Sequence, residues 1–509
     1  MESRRVLVVG AGVSGRSAAA ALVARGAQVV VTDASEDRLA ELDLPGVRTA
    51  AALAEPPDGT DLVVTSPGVR PDNPLLVAAA RAGVEVIGEV ELAWRIDQER
   101  DTPATWLVVT GTNGKTTAVG MLESILRAAG IDAVACGNIG LPAVDAVLAG
   151  HPVLAVELSS FQLHWSPSVR PHAGAVLNVE PDHLDWHGTM RAYVEAKALA
   201  LTGAIAIGGV DDPGAARLLA EAPAPRRLGF TLGEPSLVST DSGAPGLASA
   251  DLDAPDAPDA PGDGPTPGPD APGGGPRHAS TNPRALGVDL FGVRDGDLVE
   301  PDGTVLAAVA DVNPAGPSGV LDALAAAALA RTVGVAPAAV RAGLLAFEPA
   351  AHRGAVVAER GGVRYVDNSK ATNPPAAASA LRGFDRVVWI AGGLLKGADV
   401  DGLVADHAHR LAGVVLIGAD RAEIAAALAR HAPDVPVRDV SAGDDGAMVE
   451  AVRCATELAQ PGDVVLLAPA AASWDMFTSY GHRGDAFADA ARAIVEIAEV
   501  EPDRDGVGG

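Results

Sequence analysis

The chain reads as three successive α/β units, each a mostly parallel sheet with crossover helices. Three observations predict this. Its 509 residues are about 3.4 times a typical domain length. Apolar runs of strand length alternate with helix-length segments along the chain. Glycine-rich turns follow the first strand of both the first and the second unit. Composition agrees: 48% hydrophobic and 20% charged residues are ordinary for a soluble globular protein, and the length suffices for several cores.

In the first unit, Val6–Gly12 (VLVVGAG) is a buried-strand run ending in glycines, and Ser14–Arg25 has a helical pattern. Ala27–Asp33 and Asp61–Gly68 are the next strands. The second unit opens with Trp106–Thr117 (WLVVTGTNGKTT), a strand, a glycine turn and the start of a helix. Strands follow at Pro152–Ser160, Ala173–His183 and Ala204–Gly209, with a helix over Thr189–Leu201. Residues 241–276 hold nine prolines and eight glycines, with repeated DAPDAPDAP. Such a stretch cannot bury enough apolar surface to order itself and reads as a disordered acidic insertion in a surface loop. A helix over Val320–Gly334 precedes the third unit, whose strands are Val363–Ser369, Arg386–Gly393, Gly413–Gly418 and Asp463–Pro469. The expected limits are 1–98, 99–348 and 349–500, with a frayed polar tail over 501–509.

Charge and cysteine usage exclude several classes. The 38 basic and 66 acidic residues leave a net charge of −28, which opposes general affinity for nucleic acid or anionic membrane. The two cysteines, Cys136 and Cys454, lie too far apart in sequence for a CxxC metal pair and make no disulfide framework. MESRRVLVVGAG runs straight into a strand pattern, so no cleaved leader is expected. No uncharged apolar run reaches the ~18 residues of a membrane span. The expectation is a cytoplasmic protein.

Lysine is scarce. Only Lys115, Lys197, Lys370 and Lys396 occur, against 34 arginines. Arginine can supply generic surface charge, so lysine can be kept where a compact charge that releases its proton is needed.

Five stretches carry chemistry. Gly111–Thr117 (GTNGKTT) is a phosphate loop: glycine lets backbone N–H groups wrap a phosphate, and the following helix N-terminus favours its charge. Lys115 would reach the terminal phosphates and Thr116 would hold magnesium. The full pattern wants a glycine at 109, where this chain has Val109, so the loop is a shortened variant. Gly10–Ser17 (GAGVSGRS) is similar to a dinucleotide fingerprint, with Asp33 ending the next strand at the ribose-contacting place. It leaves open which nucleotide binds, an NAD enzyme included, or whether the glycines only allow tight packing. Glu157, Asp182 and His183 sit at strand ends, where a carboxylate, an imidazole and a loop threonine can share a hard cation beside ATP. Lys197, if desolvated, would be a neutral amine able to take up CO2 as a carbamate.

The motifs in order are GAGVSGRS, SPGV, GTNGKTT, GNIG, VELSSFQL, NVEPDHLDWH with YVEAKAL, HR, DNSKATN, GGLLKG and APAAASWDMF. By these the chain resembles the Mur ligase family over nearly its full length, apart from the acidic insertion. ELSSFQL and SKATN, with a glycine-fingerprint first unit, point to the branch that adds D-glutamate. The resemblance implies a Rossmann-like N-terminal domain, a central P-loop ATPase-like mononucleotide-binding domain and a Rossmann-like C-terminal domain. It implies an ATP- and Mg2+-dependent amide ligase that joins D-glutamate to UDP-N-acetylmuramoyl-L-alanine through an acyl phosphate, in cytoplasmic peptidoglycan precursor synthesis. It also implies a monomer with small-molecule partners only. Val13, Ser14, Asp33, Ser66, Gly68 and Asn138 then fall on the UDP-substrate contacts. Gly111, Thr112, Asn113, Gly114, Lys115, Thr116, Thr117, His352, Arg353, Asn368 and Lys370 fall on ATP. Thr116, Glu157, His183 and a carbamylated Lys197 match the metal shells. Thr372, Lys396, Ser473 and Tyr480 match the D-glutamate contacts. Lys115, His183, Lys197, Arg353 and Lys370 are the expected catalytic residues.

The chain departs from the family at Gly316–Asp322 (GPSGVLD), where Ser318, Gly319 and Asp322 replace His, Asn and Asn of the usual G-x-H-N-x-x-N. Asn368 stands where relatives often have Asp. Three other readings remain at this point: a sister ligase with a different acceptor, a non-catalytic nucleotide-binding scaffold, and an NAD oxidoreductase.

Overall fold

The computed structural model describes residues 3–237, 287–441 and 445–499. The acidic insertion 241–276 and the tail 501–509 lie outside the described residues. Three sheets follow one another along the chain.

The first sheet contains β1 (Arg5–Val9), β2 (Gln28–Asp33), β3 (Val47–Ala51), β4 (Leu62–Thr65) and β5 (Glu85–Gly88), all parallel, in the order β3-β2-β1-β4-β5. Its helices are α1 (Val13–Ala24), α2 (Glu36–Ala40), α3 (Pro74–Arg81) and α4 (Glu89–Gln98). Val6, Val8, Leu22, Val31 and Val64 are buried between sheet and helices. The chain winds outward from β1 to β3 and then returns to β4 on the other side. This reversal opens a crevice beyond the strand ends, where doubly wound folds take their ligands. Gly10 lies there with φ +103°, and an added Cβ would sit 2.2 Å from Ser66 Oγ.

The second sheet contains β6 (Thr105–Thr110), β7 (Ala133–Gly137), β8 (Val153–Glu157), β9 (Ala173–Val176), β10 (Ile205–Gly209), β11 (Arg226–Phe230), β12 (Asp289–Arg294), β13 (Asp297–Val299) and β14 (Val305–Ala308). The order is β14-β13-β12-β11-β10-β9-β6-β8-β7, parallel from β7 to β12 and antiparallel across β13 and β14. Its helices are α5 (Lys115–Ala128), α6 (Ala143–Ala149), α7 (Ser160–His164), α8 (Leu184–His187), α9 (Met190–Ala198), α10 (Pro213–Glu221), α11 (Pro317–Thr332) and α12 (Pro337–Ala346). The run from Ala323 to Ala330 in α11 is wholly buried, and it packs with α5 in one core. Small side chains let this helix lie close to its neighbours, as its all-round apolar pattern requires.

The third sheet contains β15 (Ala355–Arg360), β16 (Val363–Asp367), β17 (Val387–Gly392), β18 (Leu411–Ile417), β19 (Val437–Asp439) and β20 (Val464–Leu467), in the order β15-β16-β20-β17-β18-β19. Only β15 runs antiparallel. The helices α13 (Pro374–Arg382), α14 (Asp401–His407), α15 (Arg421–His431), α16 (Asp445–Leu458) and α17 (Tyr480–Glu499) cover both faces, each over its own apolar cluster.

The expected strands are present and mostly shorter, except that β18 begins two residues before its expected start at Gly413. The one expected over Ala173–His183 stops at Val176, and the rest is loop that hydrogen-bonds to the phosphate loop. The one over Pro152–Ser160 stops at Glu157, because Ser159 caps α7 in a capping box with Gln162. Helix α11 begins at Pro317, three residues before the expected start, since proline suits the first helical turn. The short edge strands β3 and β19 have mostly exposed side chains and little periodic signal.

Candidate active site

The phosphate loop leaves β6 at the middle of the second sheet and ends at Gly114, whose φ of +85° turns the chain into α5. A Cβ at Gly114 would lie 2.3 Å from Asp322 Oδ1, so both the conformation and the space demand glycine. The loop is held from β9 and α9. Asn178 Oδ1 accepts the Asn113 N–H at 2.8 Å, and Tyr193 Oη lies 2.8 Å from Thr112 Oγ1. Lys115 Nζ folds back on the carbonyls of Gly111 and Thr112, each at 2.9 Å.

Beside the loop, Glu157 ends β8 and is 1% exposed. Thr116 donates to its Oε2 at 2.9 Å, and Asn138 donates to its Oε1 at 2.8 Å. Asn138, expected on the sugar side, thus reaches the carboxylate expected to face the metal. Lys197 is buried in α9 with its ammonium 4.7 Å from the Tyr193 ring. Burial, then the charge of Lys115, push its pKa well below the usual lysine value, against the pull of Asp182. His183, the residue capping α8, has φ +54°, lies 3.4 Å from Asp182 Oδ2 and rests against Phe161. Burial, Lys115 and Lys197 lower its pKa, while Asp182 opposes them. Among the described residues, no three His, Cys, Asp or Glu side chains assemble as a metal site. The expected set draws instead on a hydroxyl, one carboxylate, one imidazole and a lysine amine. The buried Glu157 carboxylate, with the Thr116 hydroxyl already on it, offers oxygen donors of the kind a hard cation takes.

The third sheet closes this region from the other side. A cleft of about 1090 Å3, open mouth included, lies between the second and third sheets. Asn113, Gly114, Thr117, Asp322, Arg353 and Lys370 are among its lining residues. His352 is fixed by Asp367, whose Oδ2 lies 2.7 Å from His352 Nδ1. Arg353 next to it is mostly buried; burial lowers its pKa, while Glu157, Tyr480 and Asp322 oppose. The guanidinium stays charged. Lys370 Nζ stands 4.0 Å from the Tyr480 ring. Its pKa is lowered by burial, Arg353 and Lys115, with Glu157 opposing. Asn368 also lines the cleft.

Asp322 is 6% exposed. Burial raises its pKa well above the carboxylate range, although Arg353 and Lys115 pull the other way.

In the first crevice, Asp33 Oδ2 accepts the Ala11 N–H at 2.7 Å and Oδ1 accepts the Ser35 N–H at 2.8 Å. Burial raises its pKa, but these bonds and Arg38 outweigh that and leave it lowered. Val13 and Gly68 are exposed at the rim, with Ser14 and Ser66 partly buried. On the third sheet, Ser473 is 2% exposed, Thr372 is partly buried and Tyr480 is 37% exposed.

Three of the four lysines, 115, 197 and 370, are thus brought together. Lys396 sits apart on an exposed turn, over the Trp474 ring. Sequence reasoning missed Asn178, Tyr193, Asp367 and Arg483. The first two lie inside motifs already quoted, but their partners are 65 and 81 residues away. Buried Arg483 donates to the Ser369 hydroxyl and carbonyl and to the Ala471 carbonyl, joining the lysine turn to the acceptor turn.

Comparison with known proteins agrees across the chain. The family models for the MurD-like N-terminal domain, the Mur ligase middle domain and the Mur ligase glutamate ligase domain match residues 4–88, 109–236 and 352–471. The UDP-N-acetylmuramoylalanine--D-glutamate ligase of Thermobifida fusca is 52% identical over 97% of this chain and 99% of its own length. That of Rhodococcus jostii is 49% identical over 96% and 95%. A solved pseudomurein peptide ligase type C from Methanothermus fervidus covers 98% of this chain and all of its own, with a TM-score of 0.52 at 15% identity, a likeness of fold.

Proposed function

From a chain that belongs to the Mur ligase family, we infer an ATP-dependent ligase that joins D-glutamate to UDP-N-acetylmuramoyl-L-alanine for peptidoglycan precursor synthesis. The reaction activates the muramoyl-alanine carboxylate as an acyl phosphate, with loss of ADP. The amine of D-glutamate then displaces phosphate. The single observation that carries the site assignment is the gathering of Lys115, Lys197, Lys370 and Arg353 around Glu157 and the phosphate loop.

We assign the roles as follows. Residues Gly111–Thr117 cradle the triphosphate, Lys115 and Arg353 neutralise the transferring group, and His352, Asn368 and Lys370 complete the nucleotide side. Thr116, Glu157, His183 and Lys197 would hold Mg2+. A bound Mg2+ supplies charge neutralisation on the phosphate oxygens. The neutral amine of Lys197 is suited to attack CO2; a nitrogen–carbon bond forms, a proton leaves, and a carbamate oxygen ligand results. Val13, Ser14, Asp33, Ser66 and Gly68 take the uridine diphosphate end, and Asn138 positions Glu157 at the sugar side. Thr372, Lys396, Ser473 and Tyr480 receive the two carboxylates of D-glutamate. We place the domain limits at 1–98, 99–348 and 349–500. We take the enzyme to act as a cytoplasmic monomer. No described helix is long and apolar enough to cross a membrane.

The test is an acceptor panel with ATP, Mg2+ and the nucleotide substrate: L-alanine, D-glutamate, L-glutamate and meso-diaminopimelate, with phosphate release as the readout. Release with D-glutamate alone is expected. Release with another acceptor instead would overturn the reading.

A further inference from the structure

Two of the four lysines rest on aromatic rings supplied by one segment, residues 473–480. Lys370 lies over Tyr480, and Lys396 Nζ stands 4.3 Å from the centre of the Trp474 ring. Trp474 has no role in the reading above, yet it is 69% exposed, while the other five tryptophans are buried or partly buried. An indole in water gains nothing from a core.

The backbone beneath it is firmly held. Leu394 and Ala472 exchange N–H···O bonds at 2.9 Å, joining the turn after β17 to the turn after β20. Leu395 N donates to Asp420 Oδ2, and Ala419 N donates to Asp475 Oδ2, each at 2.7 Å. Ser473, the neighbour of Trp474, is buried. Lys396 itself adopts φ +56°, a conformation disfavoured for a side chain of its kind. Two fixed turns therefore present one ammonium to one ring face, which attracts it through the ring quadrupole.

We propose that Trp474 is a positioning residue for the acceptor: its ring holds the Lys396 ammonium beside Ser473, ready for a carboxylate of D-glutamate. Once that carboxylate binds, the indole lies along the acceptor's methylene stem and loses its exposure. Aromatic faces suit this, since they pair with a cation and still cover aliphatic carbon. The proposal rests on the ligase reading above.

Steady-state kinetics of Trp474→Leu and Trp474→Phe in the full chain test it. Trp474→Leu should raise the KM for D-glutamate about tenfold, the range of a partly desolvated cation–aromatic contact. The KM values for ATP and the nucleotide substrate should stay within about twofold, and Trp474→Phe should recover most of the loss. Iodide quenching of tryptophan emission should fall when D-glutamate joins enzyme, nucleotide substrate and a non-hydrolysable ATP analogue. L-Glutamate should not cause the fall. An unchanged KM for D-glutamate in Trp474→Leu would overturn the proposal, as would an equal rise in all three constants or unchanged quenching. Wild-type enzyme that releases no phosphate with D-glutamate would overturn the ligase reading itself, a separate outcome.

Discussion

Lys197 is the proposed site residue whose state depends most on its surroundings. A lysine mid-helix is ordinarily a solvated charge, and its sequence context, VEAKAL, carries no sign of burial. The structure buries it to 1% exposure, on Tyr193 and near Lys115, so the neutral amine is favoured well below the usual lysine pKa. Scarcity was the legible signal: with arginine so dominant, each lysine invited a functional reading. The structure places Lys115, Lys197 and Lys370 near one another, whereas Lys396 lies on an exposed turn. Lys197→Ala should lose nearly all phosphate release, and added acetate or bicarbonate should restore part of it by supplying the missing carboxylate. Full activity in Lys197→Ala without additives would show that no carbamate is needed.

Three helices from two units meet at a junction that no local pattern announces. Glu89 in the first turn of α4 is 3% exposed, and its Oε1 accepts the Val144 N–H at the start of α6. Asp145 stands beside it and takes the Ser17 hydroxyl from α1. Burial pushes the Glu89 carboxyl up to about 7; the Val144 bond opposes and Asp145 reinforces the shift. The consequence for stability has a definite sign. Below the unfolded value of 4.5, Glu89 is protonated folded or unfolded. Between 4.5 and about 7 the unfolded chain ionises first, so stability falls as pH rises; above 7 the loss is complete, on the order of 3 kcal/mol. Glu89→Gln keeps an acceptor for Val144 and removes the titration. It should raise the thermal midpoint over wild type at pH 8 and leave it nearly equal at pH 4.5, as read by calorimetry. An equal change at both pH values would refute the assignment.

At the level of the whole molecule, chemistry depends on how the second and third sheets face each other. The hydroxyls of Ser318 in α11 and Ser379 in α13, both lining the cleft, touch each other. Gly316 and Gly383 approach beside them, with a Gly316 Cβ only 3.1 Å from Gly383 Cα. These contacts occur at the stretch where the chain departs from the family pattern. If the nucleotide occupies this cleft, as proposed, the two sheets are expected to separate during turnover. A chain carrying both Ser318→Cys and Ser379→Cys should form a disulfide on mild oxidation; the native cysteines are buried and free. The oxidised form should stop turning over, and reductant should restore it. Equal rates oxidised and reduced would mean that the cleft need not open.

Strand-and-turn periodicity and short motifs were enough to establish three α/β units, the glycine turn between β6 and α5 and the family. These are local properties: a buried strand is an apolar run, and a phosphate turn needs glycine at a fixed spacing. Tertiary structure alone decided that Asn138 and Thr116 share Glu157, that Asn178 and Tyr193 brace the loop, and that Asp322 lies buried against Gly114. It also decided which lysines lose their water. Those facts depend on partners tens to hundreds of residues away, and desolvation belongs to an enclosure that several elements build together.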